Sequence, residues 1–147
     1  MGGTFDILHK GHRALLTKAS EIGNIVLIGL TTDMRARKGR TEVEINSYET
    51  RKENLEILLD SMNLPSNFQI VPLNDDWGPS VIEESFTAII VSEETKKTAE
   101  KINKIRNKNG NCQLKIVMVP FVKAYDGQKI SSSRIRNNEI DLNGMLA

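Results

Sequence analysis

The sequence predicts an α/β fold in which helices flank a parallel sheet. Three observations carry this. Four short Ile- and Val-rich runs, 25–31, 68–73, 87–92 and 114–119, lack strict alternation, as strands buried on both faces do. Stretches with helical apolar spacing lie between them. A glycine-rich turn then leads directly into the first of these helices.

Taken in order, residues 11–22 place His12, Leu15, Leu16, Ala19 and Ile22 on one helical face. Residues 47–62 repeat the pattern with Leu55, Leu58, Leu59 and Met62, and Asn46 followed by Glu49 reads as a capping box. Residues 94–108 carry Ala99, Ile102 and Ile105, and Asn109-Gly110 supplies the stop. Strand–helix alternation implies right-handed crossovers, with ligands beyond the carboxyl ends of the strands. Only Met1 and Gly2 precede Gly3, so the first strand is expected to be nearly absent. The expectation is that the true start lies a few codons upstream or that the chain is trimmed.

The 147 residues suit one domain, 1–147, without repeats or linkers. With 39% hydrophobic and 27% charged residues, a soluble globular chain is expected. Twenty basic against nineteen acidic residues give a net charge of +1, which argues against general affinity for nucleic acid or anionic membrane. A bound anion needs a local site. The single cysteine, Cys112, excludes an intrachain disulfide and a multi-cysteine zinc site, and fits a reduced, cytoplasmic chain. No apolar run nears the ~20 residues of a membrane helix, and the N-terminus lacks a signal-peptide profile.

Two segments carry chemistry. In Gly2-Gly3-Thr4-Phe5-Asp6-Ile7-Leu8-His9-Lys10-Gly11-His12, glycines permit close backbone approach, and two imidazoles meet a helix start whose amides favour an anion. A bare H-x-G-H is more often a turn with a core histidine. The preceding G-T-F-D, and the absence of any other histidine, favour a phosphate cradle. In Asp126–Arg136, an Asp-Gly turn precedes Ser131, Ser132 and Ser133, which open a short helix carrying Arg134 and Arg136. That composition suits a polyphosphate, against the blander reading of a serine cap with solvated arginines.

The motifs G-T-F-D-x-x-H-x-G-H and I-S-S-S-R-I-R resemble those of the nucleotidyltransferase superfamily. Within it, the chain is similar to the archaeal and eukaryotic type of phosphopantetheine adenylyltransferase. Supporting pieces are Gly29-Leu30-Thr31-Thr32-Asp33, Ser92-Glu93-Glu94-Thr95, Ile102-Asn103 with Arg106, Ala124-Tyr125-Asp126-Gly127, and Glu139-Ile140-Asp141 with Gly144. The end motifs define the superfamily; Ser92-Glu93-Glu94-Thr95 and 126–136 point to the subfamily. Ser133 stands where many relatives carry threonine.

The resemblance implies a Rossmann-like sheet of the nucleotidyltransferase type with a truncated first strand. It implies transfer of the adenylyl group of ATP to 4′-phosphopantetheine, giving dephospho-coenzyme A and pyrophosphate. By that likeness His12 stabilises the transition state with help from His9, and Lys38 reaches the transferring phosphate. Gly3, Thr4, Phe5, Gly11, Ser92, Thr95, Ser131, Ser132, Ser133 and Arg134 hold the nucleotide. Thr4, Lys38 and Arg51 take the acceptor phosphate. Arg136 is as readily a solvated charge as a ligand. Ser92 and Thr95 suit helix capping equally well, Trp77 suits a core plug better than a wall for the pantetheine arm, and Asp33 suits orienting a loop or the acceptor. Mg2+ is expected to arrive with ATP, since no carboxylate cage is evident. Two sister enzymes share the end motifs, a glycerol-phosphate cytidylyltransferase and an FMN adenylyltransferase. A nucleotide-binding regulator without catalysis is the alternative of another class.

Overall fold

The computed structural model describes residues 1–38, 44–81 and 83–147, with the side chain of Val81 also left aside. In chain order the elements are β1 (Gly2–Gly3), α1 (Lys10–Ile22), β2 (Ile25–Thr31), α2 (Asp33–Arg37) and α3 (Tyr48–Met62). They continue with β3 (Asn67–Leu73), a 3₁₀ turn (Gly78–Val81), β4 (Ala88–Val91), α4 (Lys96–Lys108), β5 (Lys115–Met118) and α5 (Ser132–Arg136). Every strand pairing is parallel, and the four Ile/Val runs are the four longer strands.

The sheet is in two pieces. One has the order β1-β2-β3 and the other pairs β4 with β5. The reason lies in β1, whose two residues pair only with Gly29 and Leu30. They offer too few backbone groups to bridge β2 to β4 as well. The Met1 ammonium donates to the Leu27 carbonyl at 3.1 Å, and burial lowers its pKa from 8.0 to about 6. A cavity of about 290 Å³ separates the lower halves of β2 and β4.

The core explains the sequence periodicities. Phe5, Leu16, Ala19, Val26, Ile28, Leu30, Leu55 and Ile90 form one buried cluster between sheet and helices. Ile22 leaves the predicted apolar face of α1 and is 42% exposed. The expected cap of α3 shifts by one residue. Ser47, not Asn46, is the N-cap, accepting from the Thr50 amide. Asn46 instead donates its amide to Asp6 and offers its carbonyl to Arg51. Helix α2 follows β2 by one residue and is too short to show a helical periodicity in the sequence. A second small cluster of Ala124, Ile130 and Ile140 anchors the C-terminal segment.

Candidate active site

Parallel strands end together, and here the ends meet. Thr4 to Asp6 follow β1, Ser92 to Thr95 follow β4, and Val119 to Val122 follow β5. With the start of α1 and the 129–136 stretch they line one cavity of about 430 Å³. Of the residues singled out for the nucleotide or for catalysis, it gathers Thr4, Phe5, His9, Gly11, His12, Ser92, Thr95, Ser131, Ser132 and Ser133. Gly3 opens instead on an adjoining cavity of about 190 Å³, with Thr31, Arg35, Trp77 and Thr98, which shares Thr95 with the first.

The two histidines cap α1 for each other. The His9 Nδ1 accepts from the Gly11 amide at 3.0 Å, and the His12 Nδ1 accepts from the His9 amide at 3.2 Å. Each Nδ1 is therefore an acceptor, which puts the proton of each neutral ring on Nε2. Gly11 is required by this arrangement. A Cβ there would stand 2.8 Å from the His9 Cε1. The rings lie 3.9 Å apart, centroid to centroid, with Phe5 5.1 Å from His12. The amides expected to cradle an anion are partly taken. Gly11 serves His9, and the Lys10 amide donates to the Leu142 carbonyl.

Burial lowers the pKa of His9 from 6.5 to about 4, and burial with the neighbouring His9 lowers that of His12 to about 3. Both rings are neutral near pH 7. Below pH 6.5 the unfolded chain takes up protons that the folded chain refuses, so folding stability falls as pH drops from 6.5 toward 4. The slope is about 1.4 kcal/mol per pH unit for each group. His9→Asn keeps a cap acceptor for the Gly11 amide but cannot titrate. Its Tm is expected to decline more shallowly than that of the parent between pH 6.5 and 4.5. Parallel curves would show that His9 is not held neutral.

The serines are tied down in order. Ser131 caps α5 by accepting from the Arg134 amide, Ser132 Oγ donates to the Ile7 carbonyl at 3.1 Å, and Ser133 is exposed. Ser92 and Thr95 close a turn, with the Ser92 amide donating to Thr95 Oγ1 at 3.0 Å. They line the cavity as well, whereas the helix-capping reading is not met, since Thr95 stands at the N-cap of α4 without a side-chain bond to a helix amide.

Several expectations change. Arg134 does not line the cavity. Its guanidinium is occupied by Asp126, Glu139 and the Lys129 carbonyl, which lowers the Asp126 pKa and raises its own. Arg136 lines the cavity instead, bonded to the buried Asp6 at 2.5 Å. Arg51 is fully buried and reaches neither cavity. Four of its five N–H groups go to the Asn46 and Thr4 carbonyls, Thr31 Oγ1 and Asp33, and its burial keeps it out of both cavities. Lys38 stands exposed just after α2, outside the lining of either cavity, and the residues that follow it lie outside those described. Asp33 orients local structure, accepting from the Tyr48 amide as well as Arg51. Trp77 lines the smaller cavity, where the sequence reading favoured a core plug.

Two carboxylates line the larger cavity, and each has a cation, Arg136 on Asp6 and Lys129 on Glu94. Among the described residues no cluster of three metal-ligating side chains occurs. Nor is any helix of the described chain long and apolar enough to cross a membrane.

Comparison with known proteins places the chain in a family. The sequence model of the family described as cytidylyltransferase-like matches residues 1–138. The chain belongs to that family. A protein of Methanosarcina acetivorans named phosphopantetheine adenylyltransferase is 46% identical, over 99% of this chain and 93% of its own length. One of the same name from Methanopyrus kandleri is 43% identical, over 96% and 88%. A Thermoplasma volcanium protein named as a bifunctional phosphopantetheine adenylyltransferase/NTP phosphatase is 44% identical over 98% of this chain, which spans 43% of that longer protein. Among solved structures, an Archaeoglobus fulgidus protein of unknown function superposes with a TM-score of 0.72 at 31% identity, covering 83% of this chain and 97% of its own. The family's parallel α/β architecture is thus the one described above, and the cavity sits at the ligand-binding end of its strands.

Proposed function

We propose that the chain transfers the adenylyl group of ATP to 4′-phosphopantetheine, giving dephospho-coenzyme A and pyrophosphate. The observation that carries this reading is the single cavity in which both histidines and all three serines meet. The names of the relatives supply the substrate pair.

The proposed chemistry needs no covalent intermediate. A phosphate monoester is a nucleophile at neutral pH, and it attacks the α-phosphorus in line as pyrophosphate leaves. Catalysis is then positioning and stabilisation of developing negative charge. The neutral Nε2–H groups of His12 and His9 are suited to this, since each donates a hydrogen bond without giving up a proton. Ser131, Ser132, Ser133 and Arg136 hold the β- and γ-phosphates, with Arg136 in the role that the resemblance gave to Arg134. Ser92 and Thr95 meet the nucleoside end. Thr4 lies near the acceptor phosphate, and the pantetheine arm runs into the smaller cavity past Gly3 and Trp77. Lys38 has its place at the transferring phosphate from the resemblance alone. Mg2+ enters as part of the nucleotide substrate, neutralising the triphosphate, because both cavity carboxylates are already ion-paired. These are cytoplasmic substrates, and we place the protein there.

The test is Mg2+-dependent pyrophosphate release from ATP with phosphopantetheine, glycerol phosphate and FMN offered separately, and with CTP as alternative donor. Release with ATP and phosphopantetheine alone is expected. Release with CTP and glycerol phosphate, or with ATP and FMN, would move the chain to a sister activity within the family. Nucleotide binding with no release from any pair would favour a regulator.

A further inference from the structure

The peptide between Thr4 and Phe5 is turned out of the β-ladder. The pairs Gly2↔Gly29 and Gly3↔Leu30 would carry the ladder on to Thr4 and Thr31, yet β1 ends at Gly3. Phe5 takes φ +50, a left-handed conformation that an aromatic residue adopts only when its surroundings impose it. The restraint is visible. The Thr4 carbonyl accepts from Arg51 Nη1 at 3.0 Å. A trans peptide is planar, so its N–H points opposite to its carbonyl. The Phe5 N–H therefore points away from Arg51. Thr4 and Phe5 line the larger cavity and Arg51 does not. Among the described residues the Phe5 amide has no protein acceptor.

Arg51 itself is over-determined. Asn46, Thr31 and Asp33 accept from three more of its five N–H groups, and the Tyr48 ring lies 6.0 Å from the guanidinium carbon. Its one carboxylate partner, Asp33, is 40% exposed. A buried guanidinium paired in this way is a costly means of fastening a helix to a sheet, where an apolar side chain would serve. Such a group is better explained by what it orients.

We infer that Arg51 is a positioning residue, which holds the Thr4–Phe5 peptide reversed so that the Phe5 N–H faces a phosphate oxygen of the nucleotide. The inference rests on the reading that the larger cavity takes ATP. Arg51 touches no substrate and acts through one peptide plane.

The test begins with 15N-labelled parent protein titrated with MgATP in the absence of acceptor. The Phe5 amide proton is expected to move downfield in step with saturation. In Arg51→Met that shift is lost, kcat falls about 10- to 100-fold, and KM for ATP changes less than about threefold, a split that follows when a transition-state donor is misplaced. The preference between the two α-phosphorothioate diastereomers of ATP also narrows toward one, which a purely structural loss would not cause. A folded Arg51→Met with parental kcat and diastereomer preference would overturn the inference. So would a parent protein that binds MgATP and transfers adenylyl groups with its Phe5 amide unmoved, and that result stands even if Arg51→Met does not fold. A parent that shifts Phe5 on binding MgATP but transfers nothing would sustain this contact and overturn the transfer reaction instead.

Discussion

Replacing His12 by alanine is expected to lower kcat roughly 10²- to 10³-fold, the scale set by one hydrogen-bond donor aimed at developing negative charge. KM for ATP should change far less, because the serines and Arg136 remain. The expectation comes from the protonation pattern. His12 Nδ1 accepts from the His9 amide, its ring is buried, and its pKa is lowered to about 3. The side chain is therefore a neutral Nε2–H donor throughout the physiological range. The free enzyme's His12 should give no inflection in a profile of kcat/KM between pH 5 and 8. The structural part of the loss is one capping hydrogen bond, about 1 kcal/mol. His12→Gln separates the two effects, since its amide nitrogen can reach the position of Nε2 and recover part of the rate. Steady-state pyrophosphate release decides the matter, and turnover near that of the parent would remove His12 from the mechanism.

Much of this could be read from the residues alone, and the reason differs from place to place. Strand β2 was legible because burial on both faces demands an apolar run without alternation, as in 25–31, whereas β3 and β5, with no fully buried residue, showed only through their Ile and Val content. The helices showed through Leu16 and Ala19 or through Ala99 and Ile102, whose spacing is a property of the helix itself. The histidine pair was legible because H-x-G-H sets both rings on one turn of α1, and the steric need for Gly11 explains the spacing. Side-chain direction was not legible. Arg134 and Arg136 are two residues apart on α5, about 200° around a helix, so only one can face the cavity. Which one does is decided by Asp126, in the turn before α5, and by Asp6, at the other end of the chain. Arg51 was misread for a related reason. An arginine on the polar side of a helix suggests an exposed cation, and nothing local announces that acceptors at Thr4, Thr31, Asp33 and Asn46 enclose it. Asn46 and Ser47 are both good caps, and the choice between them fell to a tertiary bond from the Asn46 amide to Asp6.

Arg136→Gln is the second substitution from which a large effect is expected. The guanidinium lines the larger cavity while bonded to Asp6, whose other oxygen accepts from the Asn46 amide. Arg136 therefore links that cavity to the segment that opens α3, and on the proposed reading it meets the phosphates there. A charge-assisted hydrogen bond to a phosphate contributes about 1.5–3 kcal/mol, so KM for ATP should rise roughly 10- to 150-fold. The substitution also strands a buried carboxylate, which on its own lowers stability. Asp6→Asn in the same chain relieves that second effect, because the asparagine oxygen can still accept from the Asn46 amide. The pair forms a cycle with divergent outcomes. Stability, read as Tm, should recover in the double variant, whereas KM for ATP should stay high because no cation has returned to the cavity. If KM recovers together with Tm, Arg136 serves only to neutralise Asp6, and the β- and γ-phosphates are held by the serines without it. If KM stays high in both variants, the arginine contacts the nucleotide, and Asp6 is the group that keeps it aimed there before the substrate arrives.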